Sequence, residues 1–215
     1  QVSIRMHLYI YLNRSLYIMK MLLTVLSSFI MISISTGQIV EQQKENPKYI
    51  AEAPLPKGWP TPSIYNKAIE KTFPAYRAAY TDGGLQNFAF WRLFTHIKNN
   101  DIPMTSPVEM DMKSKDGNLK MDAMGFLYQD TKVGKLGADG KKIEVKDIPS
   151  MKTLSYTWQG SNNSKNLKLA KTALDAELKK RSLTSNDFRV LGYNGPGVPR
   201  NKKTWEMLAI LPAKK

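Results

Sequence analysis

The chain has 215 residues, 42% of them hydrophobic, no cysteine, and a formal net charge of +14. That length and apolar content suffice for one packed core, so a single folded domain is expected. The lack of cysteine excludes disulfides, thiolate metal sites and cysteine nucleophiles, and it leaves the redox compartment open.

Residues 1–37 are expected to be an upstream extension followed by a secretory signal peptide. Lys20 supplies a positive start, Met21 to Ile34 form an apolar run, and Ser35 and Gly37 are small residues ahead of a cut before Gln38. Export, periplasmic or secreted, follows from that pattern. The run is short and serine-rich for a span, and an uncleaved membrane anchor is the alternative. Removing the segment takes away Arg5, Arg14 and Lys20 and no acid, which leaves a charge of about +11. Such a balance favours anionic partners. No recognition helix, zinc motif or RNP-like strand is present, so nucleic acid is not expected among them.

Residues 38–62 are polar and then proline-dense, with Pro47, Pro54, Pro56, Pro60 and Pro62. Proline lacks the amide donor and fixes φ, so an extended linker or wrapping arm is expected, with Trp59 docking it onto the domain surface. The domain proper runs over 63–215. Strands are predicted at 64–71 and 73–80, a helix over 85–98, and strands at 107–113 and 119–129 joined by Asp116-Gly117. A second copy of the pattern follows: strands at 143–148 and 151–159, a helix over 164–181, and strands at 188–193 and 204–211. Neither strand-strand-helix-strand-strand half can cover its own sheet, so the two must share one core, giving an α+β fold.

The helices differ. In the second, Leu167, Ala170, Leu174 and Leu178 make one apolar stripe, with Asp175 and Lys179 spaced for an ion pair on the outer side. In the first, Phe90, Leu93, Phe94 and Ile97 fall on one side and read as a core stripe. Phe88, Trp91 and Thr95 fall nearly opposite, with Arg92 and His96 along the edge. A second apolar face needs a partner, either more protein or a flat apolar ligand whose acidic groups Arg92 holds.

The run Arg92-Leu93-Phe94 with Ile97 and Asn100, followed by Met104-Thr105-Ser106-Pro107-Val108, resembles the SOUL haem-binding family. Further along, Asp147 to Gly160 resembles that family's strand before its long helix. Tyr193-Asn194-Gly195-Pro196 resembles its Y-x-x-P loop, and Lys203 to Met207 its closing strand. The likeness spans about 63 to 212. It implies a distorted, barrel-like antiparallel sheet with two packed helices, akin to effector-binding domains of drug-responsive regulators. It also implies non-covalent binding of haem or another tetrapyrrole, for carriage or buffering rather than catalysis. Phe88, Trp91, Arg92 and Thr95 are then the expected platform, with Lys98, Lys202 and Lys203 as further partners for propionates.

His7 lies in the leader, so His96 is the one histidine available to ligate haem iron. It is otherwise a helix-end residue near solvent. Met104 offers a thioether but reads as core filling. Glu206 supports a different function. On the closing strand it matches the family glutamate, and facing a cavity with Tyr193 it would make a small-molecule hydrolase of the gyrase-inhibitor-like fold. Otherwise it is a surface or salt-bridged side chain, paired with Arg200 or Lys202. A third possibility is an interaction module whose aromatic helix face docks Trp59 and the arm.

Overall fold

The computed structural model describes residues 48–82, 86–115 and 118–212. The expected leader, the glycines of the Asp82-Gly83-Gly84 turn and the Asp116-Gly117 turn lie outside them. In chain order the elements are β1 (Ala68–Phe73), β2 (Tyr76–Asp82), α1 (Gln86–Asn99), β3 (Val108–Lys115), β4 (Asn118–Leu127), β5 (Gly137–Asp139), β6 (Ile143–Ile148), β7 (Met151–Gln159), α2 (Ser164–Lys180), β8 (Phe188–Gly192) and β9 (Thr204–Ile210).

Two differences from the expected elements have local causes. The first strand starts at Ala68, because Asn66 adopts φ 60° and breaks the extended run. Tyr65 instead makes an isolated parallel bridge to Thr157. The second difference is β5, three exposed residues that the sequence pattern does not announce. They pair with β6 across a turn in which Gly140 takes φ 68°, a conformation that glycine adopts without strain.

The nine strands form one antiparallel sheet in the order β1-β7-β9-β8-β3-β4-β2-β6-β5. The sheet is barrel-like and open, with β1 and β5 at its edges. Because side chains alternate across a strand, each strand feeds both faces. One is the helix face. Met110, Met124, Phe126, Leu154, Val190 and Met207 meet Leu93 and Ile97 of α1 and Ala170, Leu174 and Leu178 of α2 there. α1 rests on β2 and β4, and α2 on β7, β9 and β1. Asn163 caps α2, its side chain accepting from the Asn166 amide at 3.0 Å. The helix's outer ion pair joins Lys171 to Asp175, not Asp175 to Lys179.

The other face is covered by residues 48–62, which form no helix or strand. The Lys57 amide donates to the Gln129 carbonyl (2.9 Å), the Ser106 amide to the Pro54 carbonyl (3.0 Å), and Lys71 Nζ to the Thr61 carbonyl (2.9 Å). Trp59 docks the arm onto the sheet. It is buried in a second apolar cluster with Phe73, Tyr76, Tyr80, Leu191 and Leu208. Its ring lies 4.8 Å from Phe73 and 5.1 Å from Tyr76, centroid to centroid. An indole has the area to cover a sheet face that the helices leave bare. Trp59→Ala is accordingly expected to cost about 3–5 kcal/mol, read as a shift in the urea midpoint of unfolding.

Candidate ligand-binding site

Between the footprints of the two helices, β3 and β8 line a cavity of 460 Å³. Its walls are apolar: Phe90 and Phe94 from α1, Met104 from the following loop, and Val108, Met110, Met124 and Trp205 from the sheet. The Phe90 and Phe94 rings, both at the cavity, are nearly parallel, at 10° with centroids 6.2 Å apart. Trp205 lies opposite Gly192 in the β8–β9 register. A Cβ on Gly192 would come within 2.7 Å of the indole, so the bare glycine lets this ring lie flat across β8.

The polar groups of the cavity are few. Lys203 lines it, as do Gln86, Asn87 and Asn194. Glu52 reaches it from the arm, and one of its carboxylate oxygens accepts the Gly195 amide at 2.7 Å. Asn194 Nδ2 donates to the Ile50 carbonyl at 2.7 Å. The arm and the loop after β8 are thus stitched into a single wall.

The structure redistributes the residues expected on α1. Phe90 and Phe94, expected in the core stripe, line the cavity instead, and Leu93 and Ile97 alone of that set are buried. Phe88 and Trp91 are exposed at 66% and 61%, Thr95 is exposed, and none of the three lines the cavity. Trp91 packs edge-on against Phe90 and Phe94 from outside, at 5.9 and 5.6 Å. Arg92 is paired with Asp82 and donates to Thr81 Oγ1 at 2.6 Å. The helix turns these groups outward because Ala89, Leu93, His96 and Ile97 already fill its contact with the sheet.

His96 is not near solvent. It is buried, with Nδ1 against Asp139 and Nε2 2.7 Å from the Tyr128 hydroxyl. Burial, and then the Asp139 carboxylate, push the Tyr128 phenol up to about 12, so it stays protonated. With Nδ1–H donating to Asp139, Nε2 accepts from that phenol, and neither nitrogen is left for iron. The histidine therefore does not fit an axial ligand. The cavity walls are apolar, and the volume lies in the range of small-molecule sites, about 300–1,000 Å³.

Glu206 and Tyr193, the alternative catalytic pair, do meet: the phenol donates to the carboxylate at 2.6 Å. Glu206 is fully buried on the arm face, however, and is absent from the cavity lining. Its partners are Lys71 Nζ (2.7 Å), Ser63 Oγ (3.2 Å) and Ser155, not Arg200 or Lys202. Burial, and then the Glu206 charge, hold the Tyr193 phenol well above its ordinary range, which keeps it a donor. The set is closed upon itself, with every partner of the carboxylate already supplied.

A second carboxylate beside it escapes sequence reasoning. Glu109 on β3 and Glu206 on β9 are both register partners of Leu191 on β8, so the two acids flank it on one face. Glu109 accepts from Tyr76 (2.6 Å), Tyr80 (2.7 Å) and Arg189 Nη1 (3.3 Å). Tyr80 reaches it across β4 because Gly125, opposite both residues, has no side chain: a Cβ there would sit 2.7 Å from the Tyr80 ring. Burial, and then Glu109, raise both phenols. Asp111, two residues along β3, is pushed up to about 6 by burial and by the same glutamate. The available signal was the period-2 alternation that puts Tyr76 and Tyr80 on one side of β2 and Glu109 and Asp111 on one side of β3.

An α+β protein with an open antiparallel sheet, both helices on one face and an aromatic-walled cavity beside the first helix is the class these observations define. Residues 65–209 match the family model described as "SOUL heme-binding protein", and the chain belongs to that family. No curated protein matches it by sequence. Among solved structures it is similar to the EcmrR C-terminal domain, with a TM-score of 0.55 and 15% identity, covering 68% of this chain and 97% of that one. It is also similar to an uncharacterized conserved protein from Listeria innocua, with a TM-score of 0.52 and 14% identity, covering 70% and 94%. At such identities the likeness is one of fold alone.

Two outcomes test the buried charges. Lys71→Met leaves Glu206 without its cation and is expected to cost about 3–5 kcal/mol in denaturant unfolding, with much of the loss recovered in the Lys71→Met/Glu206→Gln double variant. Asp111 binds its proton more tightly folded than unfolded, so the stability it contributes is present below 3.8 and is lost as pH rises through about 6. Asp111→Asn should therefore flatten the fall in unfolding free energy across that window.

Proposed function

We propose that this protein binds haem or another tetrapyrrole non-covalently in the cavity beside α1, as a carrier or buffer. The observation that supports it most is a largely apolar 460 Å³ cavity lined by the rings of Phe90, Phe94 and Trp205, in a chain of this family. The macrocycle would lie against those rings. Lys203 is placed to meet a propionate, and Arg92 stands on the outer flank of the same helix. Affinity in this account comes from burying apolar area. Each aromatic side chain fully covered is worth roughly 1.5–3 kcal/mol, and a shielded ion pair to Lys203 adds about 1.5–3 kcal/mol. A few such contacts reach micromolar binding after the cost of association, without a histidine on the iron.

Titration of the protein with hemin, followed at the Soret band, tests this. The expected result is a shifted, saturable band that survives His96→Ala. Phe90→Ala and Phe94→Ala should each weaken binding about tenfold or more, and Lys203→Ala several-fold. An unshifted spectrum at micromolar protein would sink the proposal. We further propose that residues 1–37 direct export to a periplasmic or secreted location. N-terminal sequencing of the mature protein should then begin at or near Gln38.

A further inference from the structure

The outer flank of α1 takes no part in the cavity, and none of the described residues covers it. Phe88 and Trp91 stand 66% and 61% exposed, the two most exposed large apolar side chains among the described residues. They are one turn apart, which places them together, and Phe94, 36% exposed, continues the patch to the cavity rim. An isolated exposed ring needs no explanation; adjoining aromatic rings on one helix flank do.

The charge around the patch narrows the choice of partner. α1 carries Arg92 and Lys98 and no acid. Arg92 is neutralised by Asp82, and Glu52 and Asp139 also lie close by, so the basic character that bears on a partner is that of the chain as a whole rather than of this flank alone. Lys203 lies at the same cavity, and the whole chain is strongly basic, at +14. Two copies of a chain with this net charge repel one another, which disfavours a second copy as the occupant. A polar, anionic surface with an apolar layer beneath it complements both features, because indole and phenyl rings partition to the bilayer interface and basic residues are drawn to acidic headgroups.

We propose that the Phe88–Trp91 flank of α1 docks peripherally on an anionic lipid bilayer, with the mouth of the cavity held beside that surface. Among the described residues no helix is long and apolar enough to cross a membrane, so the contact is interfacial. It does not depend on which ligand the cavity takes.

The test is co-sedimentation of the ligand-free full chain with vesicles of phosphatidylcholine alone and of phosphatidylcholine mixed with phosphatidylserine. Binding to the mixed vesicles, weakened by added salt, is expected. Phe88→Ser/Trp91→Ser should lower the partition on the order of tenfold with an unchanged unfolding midpoint. The apolar run from Met21 to Ile34 is common to both proteins, so their difference reads the helix. Trp59, Trp158 and Trp205 are more shielded than Trp91, so a blue shift in emission on vesicle addition that is absent from Trp91→Phe reports the same contact. Undiminished partition of the double variant, or a parent that stays in the supernatant, would overturn the proposal. So would a concentration-dependent dimer that the double variant abolishes, since that assigns the flank to a second copy. Hemin titration in solution is a separate readout: vesicle binding without a Soret shift removes the cavity's ligand and leaves the docking face standing, and the converse removes the docking face alone.

Discussion

Two carboxylates held entirely out of water set the terms for the rest of this molecule. An uncompensated buried charge costs several kcal/mol, so Glu109 and Glu206 are tolerable only with their hydrogen-bond and charge partners in place. Those partners are scattered along the chain: Ser63 before the first strand, Lys71 on β1, Tyr76 and Tyr80 on β2, Ser155 on β7, Arg189 on β8 and Tyr193 just beyond it. Each carboxylate is served across one intervening strand: β7 separates β1 from Glu206 on β9, and β4 separates β2 from Glu109 on β3. The arm then shields the charged row from water, with Trp59, Tyr49 and Leu55 packed on that face.

Committing one face to charge leaves the helix face to carry the apolar work, and there the packing is uneven. Protein interiors close to crystal-like density unless something prevents it. Here the two helices sit over opposite halves of the sheet, and among the described residues no third helix lies over β3 and β8 between them. Phe90 and Phe94 project over that gap but are held back from it. Phe90 is edge-packed against Phe126 at 5.1 Å, and Trp91 braces both rings from outside. Tyr193 joins the two faces, with its hydroxyl bound to Glu206 and its body at the cavity wall. The rigidity of the charged row is thereby passed to the loop at 193–196 that closes the cavity on one side.

Much of this architecture was legible in the chain. β6 and β7 run over Ile143–Ile148 and Met151–Gln159 as alternation and turn residues predict, and α2 shows the stripe of Ala170, Leu174 and Leu178. These are local patterns, repeated within one or two turns of chain. What escaped depends on distant partners. His96 looked like a helix end near solvent, and only the approach of Tyr128 and Asp139, 32 and 43 residues away, makes it an interior residue. Glu206 was matched with nearby Arg200 and Lys202, whereas its cation comes from Lys71, 135 residues earlier. Phe90 and Phe94 carry a core periodicity because a cavity wall and a packed core demand the same residue types. Whether a helix closes over its neighbour is decided by the other helix.

α1 concentrates these consequences in fourteen residues. A helix with one job needs one apolar stripe, and α2 meets that description. α1 presents apolar groups in three directions: Ala89, Leu93 and Ile97 to the sheet, Phe90 and Phe94 to the cavity, and Phe88 and Trp91 to solvent. The first set alone would anchor it, since those residues are nearly all removed from water. Of the other two, only Phe90 adds to that anchorage, through its edge contact with Phe126, and the rings left in water forgo the roughly 1.5–3 kcal/mol that burial of each would return. Polar residues would serve folding as well at positions 88 and 91, as Lys168 and Lys179 do on the outer side of α2, where Leu169 is the one large apolar side chain standing exposed. The surplus aromatic surface is therefore the part of the molecule that folding does not explain, and it lies on the same helix as the cavity.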